Sequence, residues 1–172
     1  MASELRVDKI VPTTGVPTGG GGGIIQIVQT IKTNVYTNDT HDTWLDITGL
    51  SVGITPKFTT SKILICINFG ASNGTAGLHI FRLLRNSTVI GAATGGTENG
   101  FAIMDTEAIG GTRSRYVGHI NAQILDSPAT TSAITYKVQH WKNANANMHV
   151  GRRALNSYAQ TASTITVYEV SA

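Results

Sequence analysis

The sequence predicts an all-β protein, a sandwich or jelly roll, on three observations. From Ile24 to Val170, short apolar segments alternate with polar turns. No stretch combines the length and the 3.6-residue period of an ordinary helix. Thr, Ser, Asn and Gly stand where charge normally would: charged residues are 13% of the 172, against about 25% in an average globular domain. A chain with so little surface charge is expected to cover part of its surface in an oligomer.

The elements follow in order. Leu5-Arg6-Val7-Asp8-Lys9-Ile10-Val11 has the alternation of one short strand, and Pro12 and Pro17 stop it. Gly19 to Gly23 are five consecutive glycines, which lose the most backbone entropy on ordering and read as a flexible joint. The chain therefore divides into an arm (1–18), a glycine linker (19–23) and a β-domain (24–172). So short an arm has no core of its own, and if ordered it must borrow one from another subunit or protein. A disordered tail is the alternative on length alone. Leu5, Val7, Ile10 and Val11 are the apolar residues available for attachment.

Beyond the joint, Ile24-Ile25-Gln26-Ile27-Val28-Gln29-Thr30-Ile31 is β-branched almost throughout. Asn38 to Asp42 reads as a loop, and Trp44–Ile47 and Leu50–Thr55 as two strands, the second closed by Pro56. Lys62 to Phe69 is apolar on both faces, the pattern of a central strand buried between two layers. His79 to Arg85, then Asn86-Ser87, then Thr88-Val89-Ile90 is a hairpin pattern; a helix over residues 78–85 is too short to stand alone. Residues 91–114, with six glycines, read as a long irregular excursion. Strands resume at 116–125 and at 133–141, where Ile134, Tyr136, Val138 and His140 share a face, and end at 148–150 and 163–170. The count is about eight to ten strands, the number expected of a sandwich or jelly roll.

Cys66 is the single cysteine, within an apolar run, and is expected to be a buried, inert thiol. The first ten residues carry Glu4, Arg6, Asp8 and Lys9 and no apolar run of a signal peptide, so synthesis in a cytoplasm is expected. No stretch approaches the roughly 20 apolar residues of a membrane-spanning helix, and no membrane insertion is expected. Net charge is +3 and uneven: Arg113, Arg115, Lys137, Lys142, Arg152 and Arg153 face only Asp126 and Glu169 in residues 111–172. That excess can attract an anionic partner, but it is too dispersed for a nucleic-acid footprint.

The chemistry of an enzyme is not legible. The glycine run is followed by a strand, without the Lys-Ser/Thr of a phosphate loop, and there is no nucleophile elbow or zinc-protease motif. His119, His140 and His149 fall on strands that can be neighbours, yet a metal needs convergent ligands and supporting partners, so they read as polar positions on sheet faces or at a trimer axis. Asp105 and Glu107 share a face if extended, but nothing else supports a carboxylate pair of the glycosidase type. No cofactor or metal is expected. Trp44, which opens a strand, reads as core packing. Trp141 closes a strand before the turn-like Lys142 to Asn147, and with Arg152 and Arg153 it is the candidate recognition surface.

Three stretches carry a resemblance. Gly49-Leu50-Ser51-Val52-Gly53-Ile54-Thr55-Pro56 with Thr60-Ser61-Lys62-Ile63-Leu64-Ile65, then Leu125-Asp126-Ser127-Pro128 with Thr135-Tyr136-Lys137-Val138-Gln139, then Ser163-Thr164-Ile165-Thr166 ending in Glu169-Val170, resemble in order and spacing the carboxyl-terminal domains of bacteriophage fibre proteins. Leu5-Arg6-Val7-Asp8-Lys9-Ile10 is similar to the opening of phage tail-fibre and appendage proteins. Gly151 to Asn156 departs from the turn many relatives have, so the loops there have diverged.

The resemblance implies a trimeric jelly roll similar to the tumour necrosis factor fold, carried on a virion. The expectation is a phage structural protein, a fibre or knob on tail or capsid, with the arm on another virion protein. A host-surface glycan or protein is the further partner to consider. The alternative is a lectin-like carbohydrate-binding module or adhesin.

Overall fold

The computed structural model describes residues 23–107, 113–143 and 147–171. The arm residues Leu5, Val7, Ile10 and Val11 lie outside them.

Period-two alternation gives a strand one apolar face, and such faces are buried by stacking two sheets. The strands are β1 (Ile24–Lys32), β2 (Tyr36–Asn38), β3 (Leu45–Ile54), β4 (Lys62–Asn73), β5 (Leu78–Arg85), β6 (Thr88–Ile90), β7 (Ala102–Asp105), β8 (Gly118–Asp126), β9 (Ile134–Lys142), β10 (Met148–Val150) and β11 (Ser163–Val170), with a short 3-10 turn at Arg113–Arg115. The first sheet runs β1-β11-β4-β8, with β10 and β2 continuing it beyond the end of β11. The second runs β3-β9-β5, and β6 and β7 share the far edge of β5.

All described pairings between strands are antiparallel, and the long strands β3, β4, β5, β8, β9 and β11 alternate between the sheets. Long strands that lie in alternate sheets along the chain wrap as a jelly roll, the architecture expected. Between the sheets lie Ile47, Leu50 and Val52 of β3, Ile63, Ile65, Ile67 and Phe69 of β4, Phe81 and Leu83 of β5, and Tyr136 and Val138 of β9. Ile165 and Val167 of β11 close the core. Phe69 and Phe81 meet edge to face across it at 5.1 Å.

Several local expectations are corrected. Trp44–Ile47 and Leu50–Thr55 are not two strands: β3 is continuous, with the pairing to β9 jumping from Asp46–Gln139 to Ser51–Lys137. Gly49, at φ +86°, takes up the irregularity in a backbone conformation that residues bearing a Cβ rarely adopt. The excursion 91–114 is only partly irregular, because it contains β7 and the 3-10 turn. β2 is an unforeseen strand of three residues at the edge of the first sheet, held by its pairing with β10 rather than by pattern.

Trp44 is outside the core. Its indole N–H donates to Glu98 at 2.6 Å, and the Arg82 guanidinium lies 3.9 Å from the ring centroid. These contacts tether the 91–101 segment to the second sheet, and at the edge of that sheet Phe101 N–H donates to the Phe81 carbonyl.

β4 was expected to be buried on both sides. It is central in its sheet, but of residues 62–69 only Ile63, Ile65, Ile67 and Phe69 face the core; Leu64 and Cys66 are half-buried and Asn68 is exposed. Cys66 is therefore not a buried thiol, although partial burial still raises its pKa and keeps it protonated.

Candidate functional site

The alternation that fills the core also decides what the first sheet shows on its other face. Register places Ile27 of β1, Tyr168 of β11, Leu64 of β4 and Leu125 of β8 in one row across all four strands. The next row is Gln29, Thr166, Cys66 and Gln123, and the third is Ile31, Thr164, Asn68 and Asn121. Twelve positions hold no charged residue. Ile27, Ile31 and Leu125 are 56%, 57% and 57% exposed, an unusual state for three large apolar side chains on one sheet. A shallow depression lined by Cys66, Asn68, Asn121, Gln123, Thr164 and Thr166 runs through the two polar rows. This face is only half legible in sequence: the doubly apolar β4 pointed to it, but the rows exist only once the register is set.

A second feature borders this face, at the end where β10 replaces β11 beside β4. Arg115, His119, Arg152 and Arg153 surround a pocket of about 270 Å³ whose walls include Val117 and Ala159. Gly70 allows the walls to close over β4: a Cβ there would lie 3.0 Å from Val117 and 3.3 Å from Thr161. The loop carrying the two arginines is anchored by the bridge between Arg152 and Gln160 and by N–H donation from Thr161 to Gly151, Gly151 to Gly70, and Leu155 to Ser114.

Both arginines are held by neutral groups. Arg152 Nη2 lies 3.1 Å from Nδ1 and 3.2 Å from Nε2 of His149, so a neutral ring offers it one acceptor. Burial first, then the charges of Arg152 and Lys142, push the His149 pKa down to about 4 and keep that ring neutral. Arg153 Nε donates to Asn156 Oδ1 at 2.9 Å, and its guanidinium lies 5.6 Å from the ring centroid of Tyr158, which is 88% exposed. Among the described residues no carboxylate forms an ion pair with Arg115, Arg152 or Arg153.

The recognition surface expected from sequence thus divides. Arg152 and Arg153 are together in the pocket, joined by Arg115 and His119. Trp141 is not part of it; half-buried, it lies on β9 opposite Ile80 of β5, in the other sheet. Arg115 and His119 were missed because they are distant in sequence, and only the local excess of basic residues after position 110 hinted at them.

The histidines separate as well. His140 and His149 are buried and His119 is exposed on the outer face, so the three do not converge on one ion. Among the described residues, no group of three or more His, Cys, Asp or Glu is arranged to hold a metal. His79, His140 and His149 instead belong to a polar cluster inside one end of the sandwich. Tyr36 Oη meets His140 Nε2 at 2.9 Å, Asn73 Nδ2 meets His79 Nε2 at 2.5 Å, and Thr37 Oγ1 meets His149 Nδ1 at 2.9 Å. Asp105 and Glu107 form a local turn in which the Glu107 N–H donates to Asp105 Oδ1.

No protein-family model matches the chain, and no curated protein matches its sequence. Among solved structures, the D431N mutant VP2 protein of infectious bursal disease virus, in derived T=1 particles, is similar over 92% of this chain at a TM-score of 0.43 and 8% identity. The structure of the infectious bursal disease virus Gx strain is similar over 94% at 0.42 and 12% identity. The chain spans 40% and 45% of those chains, respectively. Likeness at this level carries no functional weight, and the jelly roll rests on the strand order given above.

Proposed function

We propose that this chain is a virion structural protein that associates as a homotrimer through the outer face of its first sheet, attaches to the particle through residues 1–18 and displays the β-domain outward. The observation that carries the reading is the uncharged face: the row Ile27, Tyr168, Leu64 and Leu125 with two uncharged rows beside it. Copies of one charged face repel each other, whereas an uncharged, partly apolar face can pack against a second copy without leaving charges unpaired. Ordered resemblance to phage fibre domains supports the virion and the trimer, and the similarity of the arm to appendage openings supports attachment.

Native mass measurement of the full chain tests the association. The expected result is a trimer at micromolar concentration, with Leu64→Arg shifting it to monomer while the circular dichroism spectrum of a β protein is retained. A monomeric wild-type chain overturns the reading. Labelling residues 24–172 on imaged particles tests the display, and their absence from particles overturns the virion role.

A further inference from the structure

We propose that the pocket formed by Arg115, His119, Arg152 and Arg153 binds an acidic sugar, a single ring bearing a carboxylate or a phosphate. The charges are concentrated at one point and face no carboxylate within the described chain. Guanidinium groups match both anions through paired N–H donors, which a neutral polar pocket cannot reproduce.

The arginines are also positioned in advance. Arg152 is held by His149 and Arg153 by Asn156, so little side-chain freedom is lost when an anion arrives. Because the holding groups are neutral, the positive charge is left for a ligand. An acidic partner in the same role would have cancelled it.

Size and rim select the rest of the ligand. A volume of about 270 Å³ is at the small end of ligand pockets and suits one ring with its charged group rather than an extended chain. Tyr158, 88% exposed beside Arg153, offers an aromatic face on which a sugar ring can lie. A nucleic acid would instead need a basic stripe along a backbone path, and the charge here forms a single cluster. The pocket borders the proposed trimer face without lying in its three rows, so its occupancy can be measured whether or not the chain trimerises.

Calorimetric titration of the full chain with glucuronate, glucose 6-phosphate, glucose and inorganic phosphate tests the proposal. Saturable binding of glucuronate or glucose 6-phosphate is expected in the millimolar range or tighter, and which of them binds identifies the anion. Arg153→Gln and Arg115→Gln should each weaken it about tenfold, the loss expected for one charge-assisted hydrogen bond. Arg82→Gln, on the other sheet, should leave it unchanged, and unaltered melting of the pocket variants excludes misfolding as the cause. Three results overturn the proposal: no saturation with either acidic sugar, equal binding of glucose, or inorganic phosphate bound as tightly as the sugars.

Discussion

Glu169, fully buried on the last strand, accepts the backbone N–H of Lys57 at 2.6 Å, so the final element of the chain holds the loop between β3 and β4. Gln26 of β1 donates to the other carboxylate oxygen at 2.5 Å, and to the Thr55 carbonyl at 2.8 Å. One carboxylate thus ties together β1, β11 and the crossing between the sheets.

Acid should loosen this tie. Burial alone would raise the Glu169 pKa, but the Ser61 hydroxyl, the Gln26 amide and the N–H groups of Lys57 and Phe58 outweigh it and hold the carboxyl below its usual range. A depressed carboxylate stabilises the fold fully above the unfolded pKa of about 4.3 and ceases to do so as pH falls through the lower folded value. Thermal melts should therefore show a loss beginning below about pH 5 that Glu169→Gln reduces, the variant itself costing about 1–3 kcal/mol at neutral pH. An unchanged acid limb in the variant would place the loss elsewhere.

The buried histidines act in a higher window. Burial is the main cause that lowers His79, His140 and His149 to about 4, with Lys142 adding to each, His140 adding to His79 and Arg152 to His149. The unfolded chain takes up protons near pH 6.5 while the folded one resists to about 4, so stability falls as pH drops between these values. Melting points recorded from pH 8 to pH 4 should decline from about pH 6.5, and His140→Phe should make the decline shallower. A flat profile from pH 8 to pH 5 would contradict the burial of these rings as neutral groups.

Asp126 concentrates another set of partners. Arg85 Nη1 donates to both of its oxygens at 2.8 Å, and the hydroxyl of fully buried Tyr136 donates to Oδ2 at 2.7 Å. Burial, followed by the hydrogen bond to Asp126, raises the pKa of that phenol, which stays a donor at any working pH. Denaturant titration should give Tyr136→Phe a cost of about 1–2 kcal/mol, for one lost hydrogen bond. Arg85→Met should cost more, about 2–4 kcal/mol, because it leaves a carboxylate with a side chain only 10% exposed without its cation. The double variant should fall short of the sum.

Gly100 brings the 91–101 segment against the backbone of β5. A Cβ at that position would sit 2.2 Å from the Phe81 carbonyl oxygen and 2.7 Å from Ile80, so backbone as well as side chain must move. Gly100→Ala should destabilise the protein by about 1–3 kcal/mol. It should also expose residues 91–101 to limited proteolysis and alter the emission of Trp44, whose indole N–H bonds to Glu98 in that segment. Proteolysis at the wild-type rate would mean that the segment does not depend on this contact.

The all-β class and most strands were readable because period-two alternation is a local signal. The face shared by Ile134, Tyr136, Val138 and His140 is buried in full, and the hairpin turns at Asn86-Ser87. Local readings failed where pairing overrode composition. Trp44–Ile47 and Leu50–Thr55 read as two strands but belong to one continuous β3, and β7 hides in a glycine-rich stretch because β5 supplies its partner.

What the sequence determined by itself was the class of fold, the jelly-roll expectation, the scarcity of charge and the basic excess near the carboxyl end. These follow from residue types and short spacings. Tertiary structure alone decided that Leu64 shares an uncharged row with residues of three other strands, and that Arg115 and His119 meet Arg152 and Arg153 while Trp141 lies in the other sheet. Register and the order in which strands cross between sheets set those neighbours, and both depend on contacts between residues far apart in the chain.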